Sequence, residues 1–144
     1  MTVPARITLV TLGVSDVTRS TEFYERLGWS LSESSVPGEV SFFKTAGGAL
    51  ALFGHTDLAA DANQHDVVAT GFRGVSLAIN CASREEVDEA FRHAEAAGAT
   101  IIKPAEVADW GGYSGYFADP DGHAWEVAHN PYWPLDDDGL PQLP

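Results

Sequence analysis

Residues 116–131 read YFADPDGHAWEVAHNP. Two apolar runs, Tyr116–Ala118 and Ala124–Ala128, flank Asp119-Pro120-Asp121-Gly122. That punctuation predicts two strands joined by a tight turn, with Asp119 or Asp121 bracing the turn and Gly122 at positive φ. Side chains alternate along a strand, so Ala124, Glu126 and Ala128 share one face while Trp125 and Val127 take the other. Glu126 is thus an acid in the middle of an apolar strand. A carboxylate there must be paired, hydrogen-bonded or solvated. Three readings are open: a metal ligand, an anchor or general base for a small molecule, or an acid satisfied by Thr11, Ser76, a tyrosine or water.

Working outward, the same half of the chain contains an alternating run, Gly74–Asn80, with Val75, Leu77 and Ile79 on one side. Ser83 with Glu86 three residues on forms a capping box for a helix whose inner stripe is Val87, Ala90, Phe91 and Ala94, ended by Gly98. Strands are expected in TIIKPAEV (100–107) and GYSGYFADP (112–120) before the closing strand. The first half repeats this grammar. RITLVTLGV (6–14) alternates, and Ser15 or Asp16 can cap a helix carrying Val17, Phe23, Tyr24 and Leu27 and stopped by Gly28. SLSESSV, EVSFFKTAG and GALALFG follow as short strands.

A strand–helix–three-strand unit therefore occurs twice, at a period of about half the chain. The expected boundaries are 6–54 and 73–130 within a single domain 1–144. The polar, aperiodic stretch 55–72 reads as a connecting loop, and 131–144 as an extended arm. The fold class is α+β: two βαβββ modules forming a cupped, barrel-like mixed sheet around a shared cavity. Each helix is expected to cover one face of its sheet, over Leu12 and Val14 or over Leu77 and Ile79. Leu9, Thr11, Gly13, Gly74, Ser76 and Ala78 are expected on the cavity face.

The chain has 21 acidic against 8 basic residues, a net charge of −13. Phosphate binding needs a basic surface, so nucleic acid is not an expected partner. No apolar run is long enough to span a membrane, and the first residues lack the pattern of a signal peptide. One cysteine, Cys81, excludes an intrachain disulfide and fits a reduced, cytoplasmic protein.

Beside Glu126, the aromatics of DWGGYSGYF (109–117) are candidate ligand contacts: Trp110 in a rim loop, with Tyr113 and Tyr116 on the strand. Alternation puts Tyr116 toward the cavity and Phe117 under the helix. Core packing is the competing reading for all three. His55, His65, His93, His123 and His129 show no convincing metal spacing.

VTLGVSDVTRSTEFYERLGW and YFADPDGHAWEVAHNP resemble the opening and closing signatures of the vicinal oxygen chelate superfamily, the group of glyoxalase I, bleomycin-resistance proteins, fosfomycin-resistance enzymes and extradiol dioxygenases. The resemblance covers roughly residues 6–130. It implies paired βαβββ modules, commonly in a homodimer, and in enzymatic members a divalent metal held by one residue on the first and one on the last strand of each module. In this sequence those positions are Leu9, Ala51, Gly74 and Glu126. Leucine, alanine and glycine carry no side-chain donor, and one carboxylate does not make a metal site. The expectation is no metal and no cofactor. The resemblance then suggests a protein binding a small cationic or aromatic molecule through Leu9, Thr11, Ser76, Trp110, Tyr113, Tyr116 and Glu126. The alternative is a lyase, isomerase or dioxygenase-type enzyme: a metal-free lyase or isomerase with Glu126 as its base, or a metal enzyme whose ligands stand at other positions.

Overall fold

The computed structural model describes residues 2–67 and 71–143. Two compact units follow one another, Met1–Asp66 and Val67–Pro144. The connector read as loop, 55–72, includes three residues (68–70) outside the described ones.

In the first unit, strand β1 (Leu9–Val14) leads into helix α1 (Val17–Arg26), then β2 (Ser30–Leu31), β3 (Val40–Thr45) and β4 (Gly48–Gly54). The sheet order is β1-β4-β3-β2, with β1 parallel to β4 and the other pairs antiparallel. Asp16 caps α1 by accepting from the Arg19 backbone N–H at 3.0 Å. Gly28, at φ +94, supplies the left-handed residue beyond its end. The helix buries Val17, Ser20, Phe23 and Tyr24. Tyr24 lies among Phe23, Trp29 and Phe43, with ring centroids 5.0–5.8 Å apart. Leu12, Val14, Leu50 and Leu52 complete this apolar layer. Each such fully buried side chain contributes roughly 1.5–3 kcal/mol.

The second unit runs β5 (Ser76–Asn80), α3 (Arg84–Ala97), β6 (Thr100–Val107), β7 (Tyr113–Ala118) and β8 (Ala124–His129). Its order, β5-β8-β7-β6, reproduces the first sheet strand for strand. Ser83 Oγ accepts from the Glu86 N–H at 3.2 Å, while Glu86 reaches back to the Ala82 N–H at 2.8 Å. Gly98 ends the helix at φ +105. Val87, Phe117, Trp125 and Val127 are buried, with the Phe117 and Trp125 rings stacked at 6.4 Å. Phe91 of α3 meets Phe117 edge-on at 6.3 Å. The chain is thus α+β with two open four-stranded mixed sheets, neither closed into a barrel.

Four local expectations are corrected. The segment read as loop opens with helix α2 (His55–Asp61), which packs on β1 and β4. A Cβ on Gly13 would stand 3.1 Å from His55 Nδ1 and 3.3 Å from Leu58, so that end of the sheet face is covered, not bare. Gly74, assigned to the cavity face of a strand, lies outside β5 at φ +79, a conformation that breaks a strand. The arm 131–144 is not simply extended. Asp136 Oδ1 accepts from the Asp138 and Leu140 N–H groups, and Leu135 bridges Pro141. Among the described residues no helix is long and apolar enough to cross a membrane.

Candidate functional site

The turn expected at 119–122 forms as read. Asp119 Oδ1 accepts from the Asp121 and His123 N–H groups, each at 2.9 Å, and Gly122 sits at φ +83. The turn fixes the register of β7 against β8, setting Tyr116 directly opposite Glu126, Ser114 opposite Ala128 and Ala118 opposite Ala124. On the other side of β8, Ala78 pairs with Glu126 and Ser76 with Ala124. Strand alternation makes this one face: small residues around a single acid and a single phenol.

Tyr116 Oη donates to Glu126 Oε2 at 3.1 Å. Both side chains are half-buried. Burial, the Glu126 charge and that hydrogen bond together raise the Tyr116 phenol above its ordinary range, while Lys103 pulls the other way. Of the partners open to Glu126, the tyrosine is the one that reaches it in the second unit. Lys103 stands opposite Tyr116 and Glu106 opposite Ser114, so both edge this face. Their side chains pair at 3.1 Å. Neither was singled out from the sequence. Register shifts in β6 around Ile102 and Pro104 break the alternation that would have placed them.

The sheet separates the aromatics that the sequence grouped. Tyr113 lies on the α3 side, where its hydroxyl donates to Asp88 Oδ1 at 2.7 Å. The Arg84 guanidinium stands 5.5 Å from its ring centroid. The Asp88 hydrogen bond, then burial, then the Asp88 charge, raise its phenol, against Arg84. Trp110 is in the β6–β7 loop, 49% exposed. Its ring occupies the space a Gly112 side chain would need, within 1.8 Å of a Cβ built there. Ser76 is exposed, two residues along from Ala78 on the Glu126 face.

Leu9 and Thr11 belong to the first sheet, paired with Ala49 and Ala51 on the face away from α1. Leu9 is 42% exposed and Thr11 half-buried. Of the four positions to which the resemblance assigns a metal, Leu9 and Ala51 present hydrocarbon, and Gly74 presents backbone outside its strand. Glu126 is engaged by Tyr116. This donor set does not fit a divalent ion. Among the described residues no group of three or more His, Cys, Asp or Glu side chains could hold one.

His55 Nε2 lies 3.2 Å from Asp66 Oδ1, outside hydrogen-bond alignment. Thr56 Oγ1 donates to Asp66 Oδ2 at 2.7 Å. His129 Nδ1 is 3.1 Å from the Cys81 carbonyl. Burial, then Glu86, raise the Cys81 thiol, which makes it a poor nucleophile.

The duplicated βαβββ sheets and the acid on the last strand define a class, and comparison with known proteins agrees with it. The chain belongs to the Glyoxalase/Bleomycin resistance protein/Dioxygenase superfamily, whose family model matches residues 6–127. It is similar to a glyoxalase-related enzyme from Fulvimarina pelagi: 33% identity, TM-score 0.86, covering 97% of this chain and 99% of that one. A lactoylglutathione lyase from Agrobacterium tumefaciens shares 28% identity at TM-score 0.71, covering 92% and 99%. A glyoxalase/bleomycin resistance protein/dioxygenase from Nocardioides shares 27% at TM-score 0.75, covering 100% and 93%. No curated protein matches the chain.

Proposed function

We propose that this family member binds a small organic molecule on the Glu126 face of its second module, through the carboxylate itself and without a metal. The observation that carries the reading is the Tyr116–Glu126 pair on a floor of alanine and serine. The neighbours on that face, Ser76, Ala78, Ser114, Ala118, Ala124 and Ala128, are all small. The carboxylate keeps acceptor capacity after taking one hydrogen bond, since its two oxygens offer about four lone-pair sites. A ligand with an N–H donor or a positive charge suits it, and the net charge of −13 favours the approach of cations. The resemblance to bleomycin-resistance members supports a homodimer as the working form, which light scattering would register as twice the chain mass.

Replacing Glu126 by Gln tests the reading. It keeps the shape and removes the charge. Binding of a small primary amine, followed by calorimetry, is expected to weaken about tenfold, the loss of one charge-assisted contact at a partly solvated site, with the thermal midpoint little changed. Unaltered affinity would remove Glu126 from the site.

A second reading has its own support. A carboxylate held in place by a phenol hydrogen bond has the form of a positioned general base, and one similar structure is named a lactoylglutathione lyase. In that reading Glu126 takes a proton from carbon beside a carbonyl and Tyr116 orients it. Solvent deuterium exchange into a carbonyl substrate, abolished in both Glu126→Gln and Tyr116→Phe, would favour it.

A further inference from the structure

We infer that His55, with Asp66 behind it, makes a second binding site, on the face of the first sheet away from α1, and that it takes a neutral molecule presenting a hydroxyl group on an apolar body. The site lies within the first unit, Met1–Asp66, and is independent of Glu126.

Asp66 divides its two oxygens. Oδ2 accepts from Thr56 Oγ1 at 2.7 Å, and Oδ1 stands 3.2 Å from His55 Nε2. That nitrogen is buried, and Asp66 is the acid that faces it. Two lone pairs at this separation with no proton between them would repel, so the proton of the neutral ring belongs on Nε2. Nδ1 is then the hydrogen-bond acceptor. The Thr56 bond holds the carboxylate, and the carboxylate sets the tautomer.

Strand β4 ends at Gly54 and α2 begins at once with His55, packing over β1 and β4. Gly13 carries no side chain beneath it. A Cβ there would stand 3.1 Å from Nδ1 and 3.4 Å from His55 Cα, so the imidazole lies against the strand with Nδ1 on the sheet side. The side chain is 32% exposed although Nε2 is buried, so solvent reaches the rest of the ring. On the same face of β1, Thr11 is about 7 Å along and Leu9 about 14 Å. Ala51 pairs with Thr11, and Phe42 pairs with Ala51 from β3. The floor beside Nδ1 is therefore hydrocarbon with one hydroxyl and no carboxylate. An acceptor set at the edge of such a floor suits an O–H donor on an apolar body, because the ligand's hydroxyl needs a partner once it leaves water. A neutral molecule is also indifferent to the net charge of −13.

Cyclohexanol and its methyl ether, methoxycyclohexane, differ in whether they carry that proton. Both can be titrated into protein with isotope-labelled histidine and followed by NMR. The wild type is expected to hold the alcohol about fivefold more tightly than the ether, the scale of one neutral hydrogen bond. The alcohol, and not the ether, should shift the His55 Nδ1 resonance. His55→Phe should bind the two equally. Asp66→Asn, whose amide can donate to Nε2 and move the ring proton to Nδ1, should erase the preference while ether affinity stays as it was. Asp66→Glu should restore part of it. Equal affinities in the wild type, a preference that survives His55→Phe or Asp66→Asn, or an alcohol that leaves the Nδ1 resonance in place would each overturn the inference.

Discussion

Tyr113 and Tyr116 are three residues apart on one strand and stand on opposite faces, yet each donates a hydrogen bond to a carboxylate. Both phenols hold that proton more tightly than free tyrosine, whose ordinary value is 10.0. A folded-state value raised above the unfolded one contributes stability that is fully present below about pH 10 and is lost as pH rises toward the folded value. Unfolding free energy is therefore expected to fall as pH rises above about 10, and Tyr113→Phe should flatten part of that fall. Denaturant titrations across this window decide it. A Tyr113→Phe slope identical to wild type would show that the Asp88 bond is not formed in solution. The same substitution at Tyr116 should act on the alkaline slope and on amine affinity together, because that phenol braces the proposed anchor.

At the scale of elements, β6 crosses β7 where Gly115 faces α3. A Cβ there would meet Lys103 O at 2.6 Å, Ala105 N at 2.7 Å and Phe91 Cζ at 2.8 Å. Two of these are backbone atoms of a strand whose register already shifts between Lys103 and Glu106, so little can yield. Gly115→Ala is expected to cost about 2 kcal/mol or more, by overpacking, read as a drop in denaturation midpoint. A neutral result would mean that β6 relaxes freely. Asp16→Ala should cost about 1 kcal/mol through loss of the α1 cap. Both helices with side-chain caps were legible in the sequence because their signals are local: a cap, a stripe and a left-handed glycine. Helix α2 was not legible. It has Gly54 at its N-cap, no capping side chain, and is held instead by packing over Gly13. The β7–β8 pair was legible down to its facing, because the Asp119 turn fixes register and alternation does the rest. That put Tyr116 on the same face as Glu126 and Phe117 under α3, without saying that tyrosine and acid would pair. The β6 edge was not, since its register shifts leave no period to read, and Lys103 and Glu106 stayed hidden with it. Trp110 was visible as an aromatic beside glycines, but its side of the sheet depends on the strand continuing through Gly112. Nothing in the composition states that.

At the scale of the whole molecule, 21 acids against 8 bases act on everything the protein does. Self-repulsion opposes compactness, and screening relieves it. Raising salt from about 0.01 M to 0.1 M shortens the screening length from roughly 30 Å to 10 Å. The thermal midpoint should rise over that range while affinity for a small amine falls, because the same field that strains the fold attracts the ligand. Both changes in one direction would separate the ligand's attraction from the net charge. Duplication is the other whole-molecule property. The two sheets share strand order, but Glu126 on the last strand of the second has Ala51 as its counterpart on the last strand of the first. The two modules share a topology and differ in the side chains on it.

The most direct test of this account is a crystal structure of the protein grown with a small primary amine and a divalent salt in the same drop. The account predicts the ammonium nitrogen within hydrogen-bond distance of the Glu126 carboxylate, with no ion bound to that residue. A metal coordinated by Glu126, or the amine seated away from β7 and β8, would contradict it.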